Sequence, residues 1–273
     1  MKTIVVPVDF SPASQSAARY AVEMAVYTGA SLHLLHVCIT PVAISEIPVS
    51  AADFDREVED AEKEILQLKE NLQHVAGSHV PVMTEIRVGN FLEQLRDFCS
   101  VIQPDAVVVS LNSRGALERF FFGSATLQAV AGLRWPLLVV PSGASFTGVR
   151  KIGLACDLKQ VTDSIPAAEI KYLVRRFHAE LHVVHVSETG DDVYTSRSEI
   201  DRLKGMLDEV TPVYHFMTRE DIDAGITEFA EKAGLDLVIV VPRRHGLFGE
   251  LFHKSHTKQL LLHTHTPVLS IHE

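Results

Sequence analysis

"TIVVPVDF" (Thr3–Phe10) and "KIGLACDL" (Lys151–Leu158) decide the fold. Each is a short apolar run that ends on an aspartate, Asp9 or Asp157, and each leads into a helical pattern. The first is followed by "SPASQSAARYAVEMAVYTG" (Ser11–Gly29), the second by "SIPAAEIKYLVRRFHA" (Ser164–Ala179). Continuous apolar runs bounded by helical patterns are buried on both faces, as the strands of a parallel sheet are.

The echo continues along the chain. "SLHLLHV" (Ser31–Val37) returns as "ELHVVHV" (Glu180–Val186), "PDAVVVS" (Pro104–Ser110) as "LDLVIVV" (Leu235–Val241), and "WPLLVVP" (Trp135–Pro141) as "TPVLSIH" (Thr266–His272). Asp157 follows Asp9 by 148 residues and His185 follows His36 by 149, but Val213 follows Val82 and Pro267 follows Pro136 by only 131. The second half therefore lacks about 18 residues between its second and third strands, corresponding to "CITPVAISEIPVSAADF" (Cys38–Phe54) of the first. Solenoid repeats have periods of roughly 20 to 50 residues, so a repeat of this length is two copies of one domain.

The expected fold is α/β: two tandem copies of a five-stranded, mostly parallel open sheet with helices on both faces and right-handed crossovers. The expected domains are residues 1–143 and 149–273, the second shorter and more divergent, joined by the small, polar linker "SGASFTG" (Ser142–Gly148). Ser11 is placed as the N-cap of the first helix, Pro12 in its first turn and Gly29 at its end. A helix over Phe54–His74 carries its apolar stripe on Ile65, Leu68 and Leu72. The segment Cys38–Asp55, with Pro41 and Pro48, reads as a mobile loop that covers the first site.

Composition narrows the classes. The 273 residues are 47% hydrophobic and 22% charged, enough for a core in each half. A formal charge of -10 argues against nucleic-acid binding through bulk electrostatics. No apolar run reaches the roughly 18 to 20 residues that span a bilayer, so no membrane partner is expected. The three cysteines, Cys38, Cys99 and Cys156, have no CxxC spacing and read as buried thiols of a cytoplasmic protein. Residues of the pairs His33/His36 and His182/His185 lie three apart on strands and point to opposite faces, so neither pair chelates one metal. No metal site is expected.

In an open parallel sheet, ligands bind beyond the carboxyl ends of the strands where the strand order reverses. Asp9 belongs there, and so does the loop "SLNSRGALERFFFGS" (Ser110–Ser124) leaving the fourth strand. Its Gly123-Ser124 precedes a helical pattern whose free N–H groups suit an anion, and Arg114 adds charge. An ordinary capped helix after a loop explains the same residues equally well.

The "PVDFS" opening, the "LHLLHV" strand and the loop "SLNSRGALERFFFGSAT" (Ser110–Thr126) together resemble the universal stress protein family in its tandem two-domain form, over nearly the whole chain. Nucleotide-binding members carry G-x-x-G-x9-G-[ST] in that loop. Gly123 and Ser124 match its end, while Ser110 and Ser113 stand at its first two glycines. The resemblance implies an ATP site, with magnesium when ATP is bound. In it Asp9 would lie by adenine and ribose and Val37 beside the base. Ser110, Ser113, Gly123, Ser124 and Ala125 would line ribose and phosphates. Serine forced to positive φ costs about 1 kcal/mol or more; serine at negative φ offers a hydroxyl instead.

In the second copy, "VPRRHGLFGELFHKSHT" (Val241–Thr257) has Pro242 and His245 at the first two glycines and Lys254 at the third, and it keeps Ser255. The glycine cradle is gone. Arg243, Arg244, His245, Lys254 and Ser255 are either an anion site made of side chains or a solvated basic loop.

The expected function is therefore a cytoplasmic stress-response protein with an adenine-nucleotide site in the first domain and a degenerate one in the second. The alternative is an interaction or scaffold protein without nucleotide, its two domains forming an internal pseudo-dimer. By resemblance, "PLLVVP" and "TPVLSIH" pair within one chain and cover two sheet edges; a dimer of whole chains stays open. Walker, GxGxxG and Gly-x-Ser-x-Gly motifs are absent. No catalytic nucleophile or general base stands out, which leaves at most slow ATP hydrolysis.

Overall fold

The computed structural model describes residues 1–39, 51–111, 133–188, 197–242 and 265–271. The first half runs β1 (Thr3–Pro7), α1 (Pro12–Thr28), β2 (Ser31–Cys38), α2 (Ala51–Ala76), β3 (Val82–Val88), α3 (Phe91–Ile102), β4 (Ala106–Leu111) and β5 (Leu137–Pro141). The second half runs β6 (Lys151–Ala155), α4 (Val161–Ser164), α5 (Ala167–Phe177), β7 (Glu180–Ser187), α6 (Arg197–Leu207), β8 (Val213–Thr218), α7 (Ile222–Ala233), β9 (Leu237–Val240) and β10 (Val268–Ser270). The chain forms two compact units, Met1–Leu137 with Ser142–Phe146, and Leu138–Pro141 with Thr147–Glu273.

Each half repeats one strand order. It is β3-β2-β1-β4 in the first and β8-β7-β6-β9-β10 in the second, with every registered pair parallel. The Pro136 carbonyl accepts the Val107 N–H (2.8 Å), which sets the start of β5 against β4. Ile4, Val5 and Val6 are fully buried, as the unbroken apolar run requires. From β1 the chain runs outward to β2 and β3, then crosses back to β4, so the order reverses between β1 and β4.

One carboxylate fixes the foot of each first strand. Asp105 Oδ2 accepts the N–H groups of Lys2 (2.6 Å) and Thr3 (2.9 Å), and Asp236 Oδ2 accepts those of Arg150 (2.7 Å) and Lys151 (2.9 Å). The polar residue opening "PDAVVVS" and "LDLVIVV" is thus a clamp that sets the position of the first strand against its neighbour.

Helix α1 begins and ends as its sequence predicts. Ser11 is its N-cap, with Oγ accepting from the Ser14 N–H; Pro12 opens it; and Gly29 closes it at φ 67. Helix α2 starts at Ala51, so the end of the expected loop Cys38–Asp55 is helical. Ile65 and Leu72 are buried, Leu68 is half-buried, and Ala61 and Ala76 complete the stripe. The equivalent of α1 in the second unit comes in two pieces. A short turn, α4, precedes the expected pattern, the chain is extended at Ile165 (φ -102, ψ 113), and the helix of the pattern runs as α5 after Pro166. A residue before proline is pushed to extended backbone. Pro12 sits at the helix start and does no harm, whereas Pro166 falls after the first turn.

The linker is more tied down than its composition suggests. Gly143 N–H donates to Ser16 Oγ (3.2 Å) and Phe146 N–H to Glu23 Oε2 (3.0 Å). The Phe146 ring meets Tyr20 and Tyr27 edge-on, with centroids 5.4 and 5.6 Å away.

Replacing Asp105 by Ala leaves two backbone donors without their charged acceptor. Hydrogen bonds to charged groups contribute about 1.5–3 kcal/mol. Asp105→Ala is expected to lower the stability of the first unit by about 2 kcal/mol, and Asp236→Ala that of the second by a similar amount. Urea denaturation of each variant measures both.

Candidate functional site

The site grows from the turn after β1. Asp9 Oδ1 accepts the Ser11 N–H (3.1 Å) and the Ser11 hydroxyl (2.6 Å). This closure leaves Phe10 at φ 62. The Gln15 side-chain amide donates to the Phe10 carbonyl (2.7 Å). The second unit builds the same turn: Asp157 Oδ1 accepts the Lys159 N–H (3.1 Å), and Leu158 sits at φ 54. The recurring aspartate thus has a structural task in both units, independent of any ligand.

Three residues form a row across the carboxyl ends of the first unit's strands. Val8 N–H donates to the Leu35 carbonyl (2.8 Å), and His36 Nδ1–H donates to the Val8 carbonyl (2.8 Å). On the other side Val5 pairs with Val107; carried three residues on, that register sets Ser110 beside Val8. The row is His36, Val8, Ser110, and Asp9 adjoins it at the reversal point. Val37, next to His36, is buried.

Ser110 ends β4 with only 3% of its surface exposed, and its hydroxyl has no hydrogen-bond partner among the described residues. It is absent from the residues at positive φ, so serine at the first glycine position carries no left-handed strain. A buried hydroxyl without a partner costs free energy. The second unit shows that the sheet does not require it. By the ladder register (Val5 with Val107, Gly153 with Val238), the counterpart of Ser110 is Val241, one residue before the Pro242 of the sequence reading. Of the other sequence-predicted site residues, Ser113, Arg114, Gly123, Ser124 and Ala125 lie outside the described residues, as do Arg243, Arg244, His245, Lys254 and Ser255.

The histidines split as strand alternation requires. His36 and His185 hold matching posts: His185 Nδ1–H donates to the Cys156 carbonyl (2.9 Å), as His36 does to Val8. His33 and His182 occupy the opposite face. His33 lies edge-on to Phe98, and His182 Nδ1 is 3.0 Å from His215 Nε2, beside Phe229. Among the described residues no group of three His, Cys, Asp or Glu side chains could hold a metal ion, and no helix is long and apolar enough to cross a membrane. Cys38, Cys99 and Cys156 are buried and in no disulfide; burial pushes the Cys99 thiol up to about 12.

The resemblance and the geometry now meet in one finding: the model of the universal stress protein family matches residues 1–141 and again residues 148–272. The chain belongs to the universal stress protein family. Its fold is that of a universal stress protein from Archaeoglobus fulgidus DSM 4304, with a TM-score of 0.73 and 16% identity over 99% of this chain and 96% of that one. A functionally unknown protein from Pseudomonas aeruginosa PAO1 matches at a TM-score of 0.64 and 16% identity, over 100% of this chain and 92% of that one. No curated protein matches the chain.

The sequence reading passed over two features of this tandem universal stress protein. Phe10 is one; its signal was the bulky residue after the aspartate in both "DF" and "DL". The other is Gly89 at the end of β3. It sits at φ 137, its N–H donates to the Cys38 carbonyl (3.0 Å), and a Cβ there would come within 3.2 Å of Gln94 Nε2. Asn90 then caps α3 through the N–H groups of Leu92 and Glu93. The isolated "GN" reads as any turn.

Two outcomes are expected. Removing a hydroxyl that has no partner among the described residues, by Ser110→Ala, leaves stability unchanged or raises it by up to about 1 kcal/mol, read from urea denaturation. The second concerns pH. Burial lowers the pKa of His33, and burial together with His182 lowers that of His215. The unfolded chain takes up these protons near pH 6.5 while the native chain still resists them. Their contribution to stability is therefore whole above that pH and lost as pH falls below it. The urea midpoint is expected to drop between pH 7.5 and pH 5.5, and to drop less in His33→Leu/His215→Phe.

Proposed function

We propose that this protein is a nucleotide-binding stress-response protein of the cytoplasm that takes ATP, with magnesium, in its first unit. The observation that carries the reading is the Ser110 hydroxyl: buried, without a partner among the described residues, and beside Val8 where the strand order reverses. A polar group of this kind favours a ligand that supplies the missing hydrogen bond. It lies at the fourth-strand end, where open α/β sheets bind ligands, and the second unit has a valine there.

The residues present fit the group. Ser110 would donate to a ribose or phosphate oxygen. Asp9 commits Oδ1 to the turn and would turn Oδ2 toward base or ribose, with Val37 at the base. Ser113, Arg114, Gly123, Ser124 and Ala125, by their place in the loop, would complete the phosphate side. ATP would supply the charge and the base that this half-polar, half-apolar crevice can recognise. The basic residues Arg243, Arg244, His245, Lys254 and Ser255 of the second unit would take a smaller anion through side chains.

The interaction-protein reading has one observation in its favour. Asp157 makes the same turn as Asp9 in a unit without the glycine cradle, so Asp9 alone does not argue for nucleotide. In that reading the two domains form an internal pseudo-dimer that needs no ligand.

Isothermal titration calorimetry with MgATP separates the two readings. Wild type is expected to bind, and Ser110→Ala to bind roughly ten- to a hundredfold more weakly, as the loss of a hydrogen bond to a charged group implies. Absence of binding by folded wild type at millimolar MgATP leaves the interaction reading standing.

A further inference from the structure

Phe10 and Leu158 hold the same post in the two units. Both come directly after the aspartate of the turn, and both sit at positive φ, 62 and 54. Large side chains without a polar tip rarely occupy that conformation, because Cβ crowds the following carbonyl. Leu158 has an evident packing role, for it is 1% exposed and part of the second unit's core. Phe10 differs: it is not fully buried.

Its ring lies on the His36 imidazole, with centroids 4.5 Å apart and planes 27° from parallel. His36 is itself buried and fixed through Nδ1 to the Val8 carbonyl (2.8 Å). Gln15 holds the Phe10 carbonyl at 2.7 Å. The aromatic surface is thus rigid at its backbone and backed by a second ring. It follows Asp9 in the chain, at the same carboxyl end of the sheet as the Ser110 hydroxyl, which has no partner among the described residues. The second unit differs: a leucine replaces the phenylalanine, and among the described residues the ring that His185 meets is Phe216, edge-on at 6.3 Å.

A partly open ring with a supported back is a stacking surface for a planar heterocycle. We propose that Phe10, backed by His36, stacks on the base of the nucleotide and makes the first unit select a nucleotide over a bare polyphosphate. The proposal rests on the nucleotide reading above and adds a specificity-determining residue to it. It also assigns the strained backbone of Phe10 a task, since such conformations persist where the surrounding structure enforces them at ligand sites.

The test compares MgATP with magnesium tripolyphosphate by calorimetry on the full chain, for wild type, Phe10→Leu and Phe10→Trp. Leu158 shows that leucine is accepted at this post, and urea denaturation checks the fold. Phe10→Leu is expected to weaken MgATP roughly tenfold while tripolyphosphate binds as to wild type. Phe10→Trp is expected to keep MgATP binding, and its added fluorescence over that of Trp135 to be quenched by MgATP and not by tripolyphosphate. Equal MgATP affinity in wild type and Phe10→Leu, or equal losses for both compounds, overturns the stacking role alone. Wild type that binds neither compound overturns the nucleotide reading and the stacking role together.

Discussion

The aspartate-closed turn at the end of each first strand is the constraint on which the first helix and the crevice depend. A carboxylate oxygen takes the N–H two residues on, 3.1 Å in both units, and the residue between is driven to positive φ. The chain then leaves the sheet plane and enters its first helix. In the first unit Ser11 completes the exit by bonding back to Asp9 and capping α1 through the Ser14 N–H. The direction of α1 is set by where this turn points.

Two copies of one backbone separate two kinds of residue. The Asp105 and Asp236 clamps, the Asp9 and Asp157 turns, and the His36 and His185 bonds to the first-strand carbonyls occur in both units. They are what the sheet needs. Ser110 against Val241, and Phe10 against Leu158, are where the copies part. In each case the first unit holds the residue that is costly for folding: a buried hydroxyl without a partner among the described residues, and a large ring that is not fully buried. Residues that a fold tolerates at a cost in one copy, and replaces with apolar packing in the other, are the ones whose reason lies outside the fold.

The strands were legible because burial on both faces leaves only apolar residues, and Ile4–Val6 need no tertiary context to be recognised. Helix α1 was legible through Ser11, Pro12 and Gly29, each with a local backbone reason. The break at Ile165 was harder: the apolar spacing runs through it, and only the restriction that Pro166 places on its neighbour interrupts the helix. Asp105 was invisible as a clamp because its partners, Lys2 and Thr3, lie about a hundred residues away in the chain. Site residues suffered most from this. Ser110 was singled out by motif spacing, but whether its φ was negative, and whether its hydroxyl had a partner among the described residues, are properties of packing and not of sequence.

Asp157 limits what Asp9 can mean. An aspartate at the end of a first strand is the residue that a nucleotide reading would single out, yet its twin makes the identical bond in a unit without a glycine cradle. The carboxylate has two oxygens, and the turn commits only one of them. Oδ1 belongs to the fold; a ligand would have to be read by Oδ2, together with groups the fold does not need. That places the burden of recognition on Ser110 and Phe10. Phe10 belongs to the turn itself, and Ser110 lies beside Val8, the residue that leads into it.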